Sequence, residues 1–232
     1  MSVITIDGTL GSGGPELGHL LSEKLHIDYV DRLVLSEIAK EMQSTVGALV
    51  SHETRVSTVS DKLIKRIETI LKKSPFVGLG SDPYFGPGTE TLLLQTYPDI
   101  EKNLVTSATE LNEREFIKIS NEVINRLAEA GNVVIIGRGS SAILNHRTDT
   151  LRICVTGSTS DRITHLLGTG LNQTDAKELI NTTDAAQERY FLHAFNCGPL
   201  DPHLYHLIVN TSEMPLDDTA DLIYDVYNSL NR

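Results

Sequence analysis

The stretch Val3-Ile4-Thr5-Ile6-Asp7-Gly8-Thr9-Leu10-Gly11-Ser12-Gly13-Gly14-Pro15-Glu16-Leu17 decides the fold. It runs from a β-branched apolar segment through a glycine-rich turn into Leu17, Leu20, Leu21 and Leu25, which recur at helical spacing. Gly8 to Gly13 fits the frame G-x-x-x-x-G of a phosphate-binding loop. Glycines there let backbone N–H groups point at phosphate oxygens, and the helix that follows adds roughly half a positive charge at its N-terminus. The position that carries Lys in such a loop is Gly14, and Pro15-Glu16 stand where a hydroxyl is expected. A plain strand-to-helix turn accounts for the glycines equally well, and Pro15 suits the first helical position. Glu16 puts a carboxylate at the positive end of the helix dipole. It is expected either to cap its own helix or to sit close enough to disfavour a bound phosphate.

Outward from this stretch, four more apolar runs read as strands: Ile27–Val30, Val133–Ile136, Leu151–Val155 and Leu207–Val209. They are nearly continuous rather than alternating, which suits a parallel sheet buried on both faces. Helical patterns lie between most of them. Asn112-x-x-Glu115 reads as a capping box before Phe116, Ile119, Val123, Ile124 and Leu127, with Gly131 as the stop. Thr174 precedes Ala176, Leu179, Ile180 and a polar helix to about Tyr190, and Pro215, Asp217 and Asp218 open a last helix. Strand and helix alternate, so the fold class is α/β: a five-stranded parallel sheet flanked by helices. The first strand is expected in the middle, with Val133–Ile136 beside it. The gap between Val30 and Val133 is too long for one crossover. It reads as a helical insertion over residues 33–109, with its most mobile part at Ser74–Gly88. The core then comprises residues 1–32 and 110–232.

A net charge of -11 over 232 residues gives no basic field to recruit nucleic acid or an anionic membrane. No apolar run reaches a membrane span, and the first strand begins too early for a leader segment. Cys154 and Cys197 are too few for a disulfide framework or a zinc site, so reduced thiols and a cytoplasmic location are expected. The eight histidines are scattered, and no metal site is expected.

Two further groups of residues bear on chemistry. Gly137-Arg138-Gly139 sets a planar guanidinium at the carboxyl end of a buried strand, the edge where α/β sheets bind ligands. Asp184 and Gln187 share one helical face and Arg189 lies off it; taken alone, these three read as a solvated polar surface.

The chain resembles the cytidylate kinases, and more closely the cytidylate kinase-like family of P-loop nucleoside monophosphate kinases. ITIDGTLGSG and LLSEKLHIDYVD resemble the opening of a cytidylate kinase, and LNEREFIKISNEVINRLAEAGNVVIIGRGSSAIL the central helix, strand and Gly-Arg turn of the kinase-like family. TSDRITHLL and Leu171 to Tyr190 resemble its lid, set at about residues 158–195, and YHLIVNTS its last strand. The resemblance implies that Gly8, Gly11, Ser12, Gly13 and Gly14 cradle donor phosphates, and that Asp31, Arg138 and Asp184 bind the acceptor, with the insertion completing that site. It implies catalytic roles for Arg138, Arg162, Asp184 and Arg189, with ATP and Mg²⁺ as cofactors and CMP, dCMP or a related monophosphate as acceptor. Residues 33–109 are, on the same resemblance, the acceptor-binding region, and a homo-oligomer is compatible with it. The chain departs from the family's pattern at Gly14 (Lys in strict members), at Glu16 (Thr) and at Pro15 (often Arg in kinase-like members). Gln187 stands where a lid Arg is expected. Two functions follow: weak phosphoryl transfer, or an inactive nucleotide-binding sensor or interaction module on the same fold.

Overall fold

The computed structural model describes residues 2–31 and 107–230. The expectations for the insertion and for Ser74–Gly88 lie outside the described residues, apart from the first turn of the helix that begins at Ser107. Five strands form one sheet: β1 (Val3–Gly8), β2 (Asp28–Val30), β3 (Val133–Ile136), β4 (Thr150–Thr156) and β5 (Leu207–Asn210). Their order is β2-β3-β1-β4-β5, and every neighbouring pair is parallel. β1 is central because its Val-Ile-Thr-Ile run is buried from both sides. It pairs Ile4 with Val134 on one flank and with Leu151 on the other.

The period of two in β1 divides the core. Ile4 and Ile6 face Leu17 and Leu21 of helix α1 (Gly14–Leu25), with Ile223 of the last helix, a cluster that also takes Val134, Leu151 and Val155. Val3 lies on the opposite face with Ile135, Cys154 and Phe191, under Ile124 and Leu127 of helix α2 (Ser107–Ala130). Thr5 and Asp7 share that second face, and Thr5 Oγ1 hydrogen-bonds Ser141 Oγ at 2.8 Å across the sheet edge. Each face is apolar enough to be covered by helices, which is what the near-continuous strand patterns required.

Four helices follow β3 in chain order: α3 (Ser140–Ile143), α4 (Thr159–Leu167), α5 (Gln173–Phe195) and α6 (Leu216–Leu230). α4 and α5 are capped by Ser158 and Asn172, whose side chains accept from Asp161 N and Asp175 N. Two local expectations are corrected. The helix through Asn112 begins by Ser107, so Asn112 and Glu115 lie in its interior rather than at its N-terminus. Ala108, Glu110 and Leu111 are good helix formers and carry the helix past the signal. α5 runs beyond Tyr190 to Phe195, because Phe191 and Phe195 extend its apolar side onto Gly139 and the second core face. Among the described residues no helix is long and apolar enough to cross a membrane.

Candidate functional site

A cavity of about 440 Å³ opens at the carboxyl ends of the central strands. Its floor is the loop after β1 with the first turn of α1, and one wall is the Gly137-Arg138-Gly139 turn after β3. Leu166 of α4 with Leu179, Thr183 and Gln187 of α5 close it from above, and Asp31 stands at the end of β2.

The loop keeps the backbone path of a phosphate cradle. Gly11 and Gly13 take φ of 83° and 77°, in the left-handed region that favours glycine. Gly8 is needed for another reason: a Cβ there would come within 2.2 Å of the Val155 carbonyl oxygen. The donors of the cradle are depleted, however. Thr9 N is spent on Val155 O at 3.1 Å and Ser12 N on Thr9 O at 3.2 Å, while Pro15 has no N–H to offer. Ser12 turns away from the cavity, its Oγ 2.5 Å from Thr9 Oγ1 and its carbonyl accepting from Thr211 Oγ1.

Glu16 does not cap α1; the N-cap, Gly13, has no side-chain hydrogen bond. The carboxylate crosses instead to α4, with Oε1 3.2 Å from His165 Nε2, while its Oε2 is shut off from solvent with no hydrogen-bond partner. Both residues line the cavity. A cap bond would have folded the side chain back over its own turn, away from His165. His165 was passed over in the sequence because nothing in the linear pattern pairs it with Glu16.

Arg162 is 5% exposed and heavily engaged. Its Nη1 and Nη2 donate to the two oxygens of Asp184 at 2.9 and 2.6 Å, and its Nε donates to Leu10 O at 2.7 Å. The bidentate geometry commits the guanidinium to a carboxylate and to the loop's own backbone. Gln187 is buried and donates from Nε2 to Gly8 O at 3.1 Å, so the reading of Asp184, Gln187 and Arg189 as one solvated surface is corrected. Gln187 is drawn in because the loop presents an inward carbonyl that must be satisfied. Arg189 is exposed and does not line the cavity.

Of the residues singled out in the sequence, the cavity gathers Gly8, Gly11, Gly13, Gly14, Pro15, Glu16, Asp31, Arg138 and Gln187. Arg162 and Asp184 join each other just outside it. Among the described residues its wall carries one guanidinium, Arg138, against the carboxylates of Asp7, Glu16 and Asp31. Asp7 is a residue that the sequence reading did not single out. It is buried, its carboxyl accepts from Gly139 N and Ser141 N at 3.1 and 2.8 Å, and burial pushes its pKa up against the pull of those hydrogen bonds. Its signal was a lone charge closing an apolar strand, in register with Thr5 on the face away from Ile6. Among the described residues no group of three or more His, Cys, Asp and Glu is placed to hold a metal ion.

The sequence matches the model of the cytidylate kinase-like family over residues 3–213. No curated protein matches it. Among solved structures, an uncharacterized protein from Eubacterium ventriosum is similar at 14% identity, a TM-score of 0.63 and 99% coverage of each chain, which supports the fold. Shikimate kinases align over nearly the whole chain as well. The one from Bacteroides thetaiotaomicron does so at 15% identity and a TM-score of 0.49, with 98% of each chain covered. The one from Acinetobacter baumannii, in complex with shikimate, does so at 14% and 0.48, with 99% of this chain and 94% of that one covered.

Proposed function

Because the chain belongs to the cytidylate kinase-like family, we propose that it binds a nucleoside monophosphate of the CMP or dCMP kind at Arg138, with little or no phosphoryl transfer from ATP. The planar fork of Arg138 suits a phosphate, and Asp31 accepts from a sugar hydroxyl or base amine beside it. The single observation that carries the reading is Glu16, whose carboxylate lines the cavity from the first turn of α1, with Oε1 beside His165 and Oε2 shut off from solvent without a hydrogen bond. Two like charges 4–5 Å apart repel by about 3–4 kcal/mol at an effective dielectric of about 20. No lysine at Gly14 offsets that term, and Arg162 is already paired with Asp184. The residues of this turn therefore do not fit a triphosphate with Mg²⁺.

A second reading keeps a residual ATP- and Mg²⁺-dependent transfer to the same monophosphate. It is favoured by the retained loop path at Gly11 and Gly13, since a preserved cradle still offers Gly14 N and Glu16 N. Thermal unfolding with CMP, dCMP, cytidine, ATP and ATP–Mg²⁺ separates the two. A ligand at 100 times its Kd adds about 2.7 kcal/mol, or about 5–10 °C in Tm for a chain of this size. The proposal expects that shift with CMP or dCMP and none with ATP–Mg²⁺. An ATP–Mg²⁺ shift of equal size would favour the second reading, and no shift with either monophosphate would remove both.

A further inference from the structure

Asp7 sits beneath the one turn on which that reading depends. Gly137, Arg138 and Gly139 all have positive φ, at 72°, 61° and 69°. Three successive residues in the left-handed region are unusual, and for Arg138, which has a Cβ, the conformation costs about 1–2 kcal/mol. Such a turn persists only if its surroundings over-determine it.

The surroundings are specific. Ile6 O accepts from Gly137 N at 2.9 Å, fixing the start of the turn to β1. One residue on, the Asp7 carboxylate takes the other end, with Oδ1 on Gly139 N and Oδ2 on Ser141 N, and Ser140 Oγ at 3.5 Å. Adjacent residues of the central strand thus grip both sides of Arg138. The aromatic ring of Phe195 closes the outside, where a Cβ on Gly139 would come within 2.6 Å of it. Asp7 itself is 1% exposed and lines the cavity. A fully buried carboxylate is expensive to keep unless its hydrogen bonds secure something, and a hydrophobic residue would fill the same place in a purely structural turn.

We propose that Asp7 is a positioning residue: its carboxylate locks the left-handed Gly137-Arg138-Gly139 turn so that the Arg138 guanidinium is presented to the ligand's phosphate. The inference rests on the reading of Arg138 as the monophosphate anchor, and it adds what holds that anchor in register. Asp7 acts through the turn's backbone, so its contribution is selective for the phosphate group that Arg138 holds. Asp7→Asn is nearly isosteric but replaces one of two acceptors by a donor, which then faces an N–H. The turn loses one of its two ties and its most strained residue relaxes.

The test combines two measurements on the full chain. Amide exchange at Gly139 and Ser141, followed by NMR without ligand, reads the turn directly. The ratio of CMP to cytidine affinity reads the phosphate term and is not moved by a general loss of stability. In Asp7→Asn both amides should exchange at least about tenfold faster, and the CMP preference should fall about tenfold or more, with cytidine affinity little changed. Unchanged exchange would overturn the proposal, and so would faster exchange with the preference intact. Arg138→Ala serves as the reference. If that variant keeps the wild-type preference, the phosphate anchor itself is wrong, a failure distinct from that of Asp7. Should Asp7→Asn not fold, Gly137→Ala strains the same turn from a position where the added methyl meets no atom within 4 Å. It should lose the CMP preference in the same way, and a wild-type preference in that variant would contradict the proposal.

Discussion

Three residues decide what this loop can do, and each acts through elementary electrostatics or sterics. At Gly14 there is room: a Cβ would meet Val155 and Ile6 at 3.4 and 3.9 Å, ordinary contact distances. The missing lysine is therefore not excluded by packing, and Glu16 is the larger obstacle. Restoring the loop with Gly14→Lys, Pro15→Gly and Glu16→Thr together should create measurable ATP–Mg²⁺ affinity, a gain on the order of 3–4 kcal/mol from one preorganised cation and the removal of one repulsion. Calorimetric titration checks it, and a triple variant as blind to ATP as the wild type would place the defect elsewhere in the site. Asp7 makes a separate prediction about pH. Burial raises its pKa above the ordinary 3.8, so between 3.8 and the raised native value the folded chain holds a proton that the unfolded chain has released. Its contribution is most favourable below 3.8 and is lost as the pH rises through the raised native value. Asp7→Asn should abolish that part of the slope. Denaturant unfolding from about pH 4 upward tests the sign, and an unchanged slope would contradict it.

At the scale of elements, the piece that resembles a lid is docked onto the loop. Gln187 of α5 holds Gly8 O, the Arg162–Asp184 pair ties α4 to α5 and to Leu10 O, and Tyr190 with Phe195 packs on the Arg138 turn. Asp184→Ala should leave the Arg162 guanidinium buried without its carboxylate and cost about 2 kcal/mol of stability, discounted because Asp184 is partly exposed. Urea unfolding reads this, and a loss under about 0.5 kcal/mol would mean that solvent already carries the charge. These elements differ in how plainly the sequence announced them. β3 was legible residue for residue, since Val-Val-Ile-Ile between Asn132 and Gly137 admits little else. β1, β4 and β5 were read one or two residues short because polar ends such as Asp7-Gly8 and Thr156 still pair, and β2 was read one residue long, at Ile27. The Asn112 box misled because capping chemistry is local, while the helix start was set by what precedes it. The Glu16–His165 contact and the burial of Gln187 were not legible, for they depend on how α4 and α5 cross the loop, and no periodicity encodes that crossing.

For the whole molecule, topology makes a ligand site at this place expected and leaves its chemistry to side chains. A central β1 with β3 and β4 on either side opens a crevice at the strands' carboxyl ends, whatever the loop contains. That much follows from five apolar runs and right-handed crossovers, and it is why the fold and the place of Arg138 were readable. Among the described residues the crevice is lined by one guanidinium and three carboxylates, a balance that favours a single phosphate over three. The central claim is that the chain binds a monophosphate and does not turn it over. Its most direct test is the CDP formed from saturating CMP and ATP–Mg²⁺ by purified wild-type protein, measured chromatographically beside Arg138→Ala. The account predicts CDP no greater than in that variant, under conditions where CMP is bound; sustained CDP formation that Arg138→Ala abolishes would contradict it.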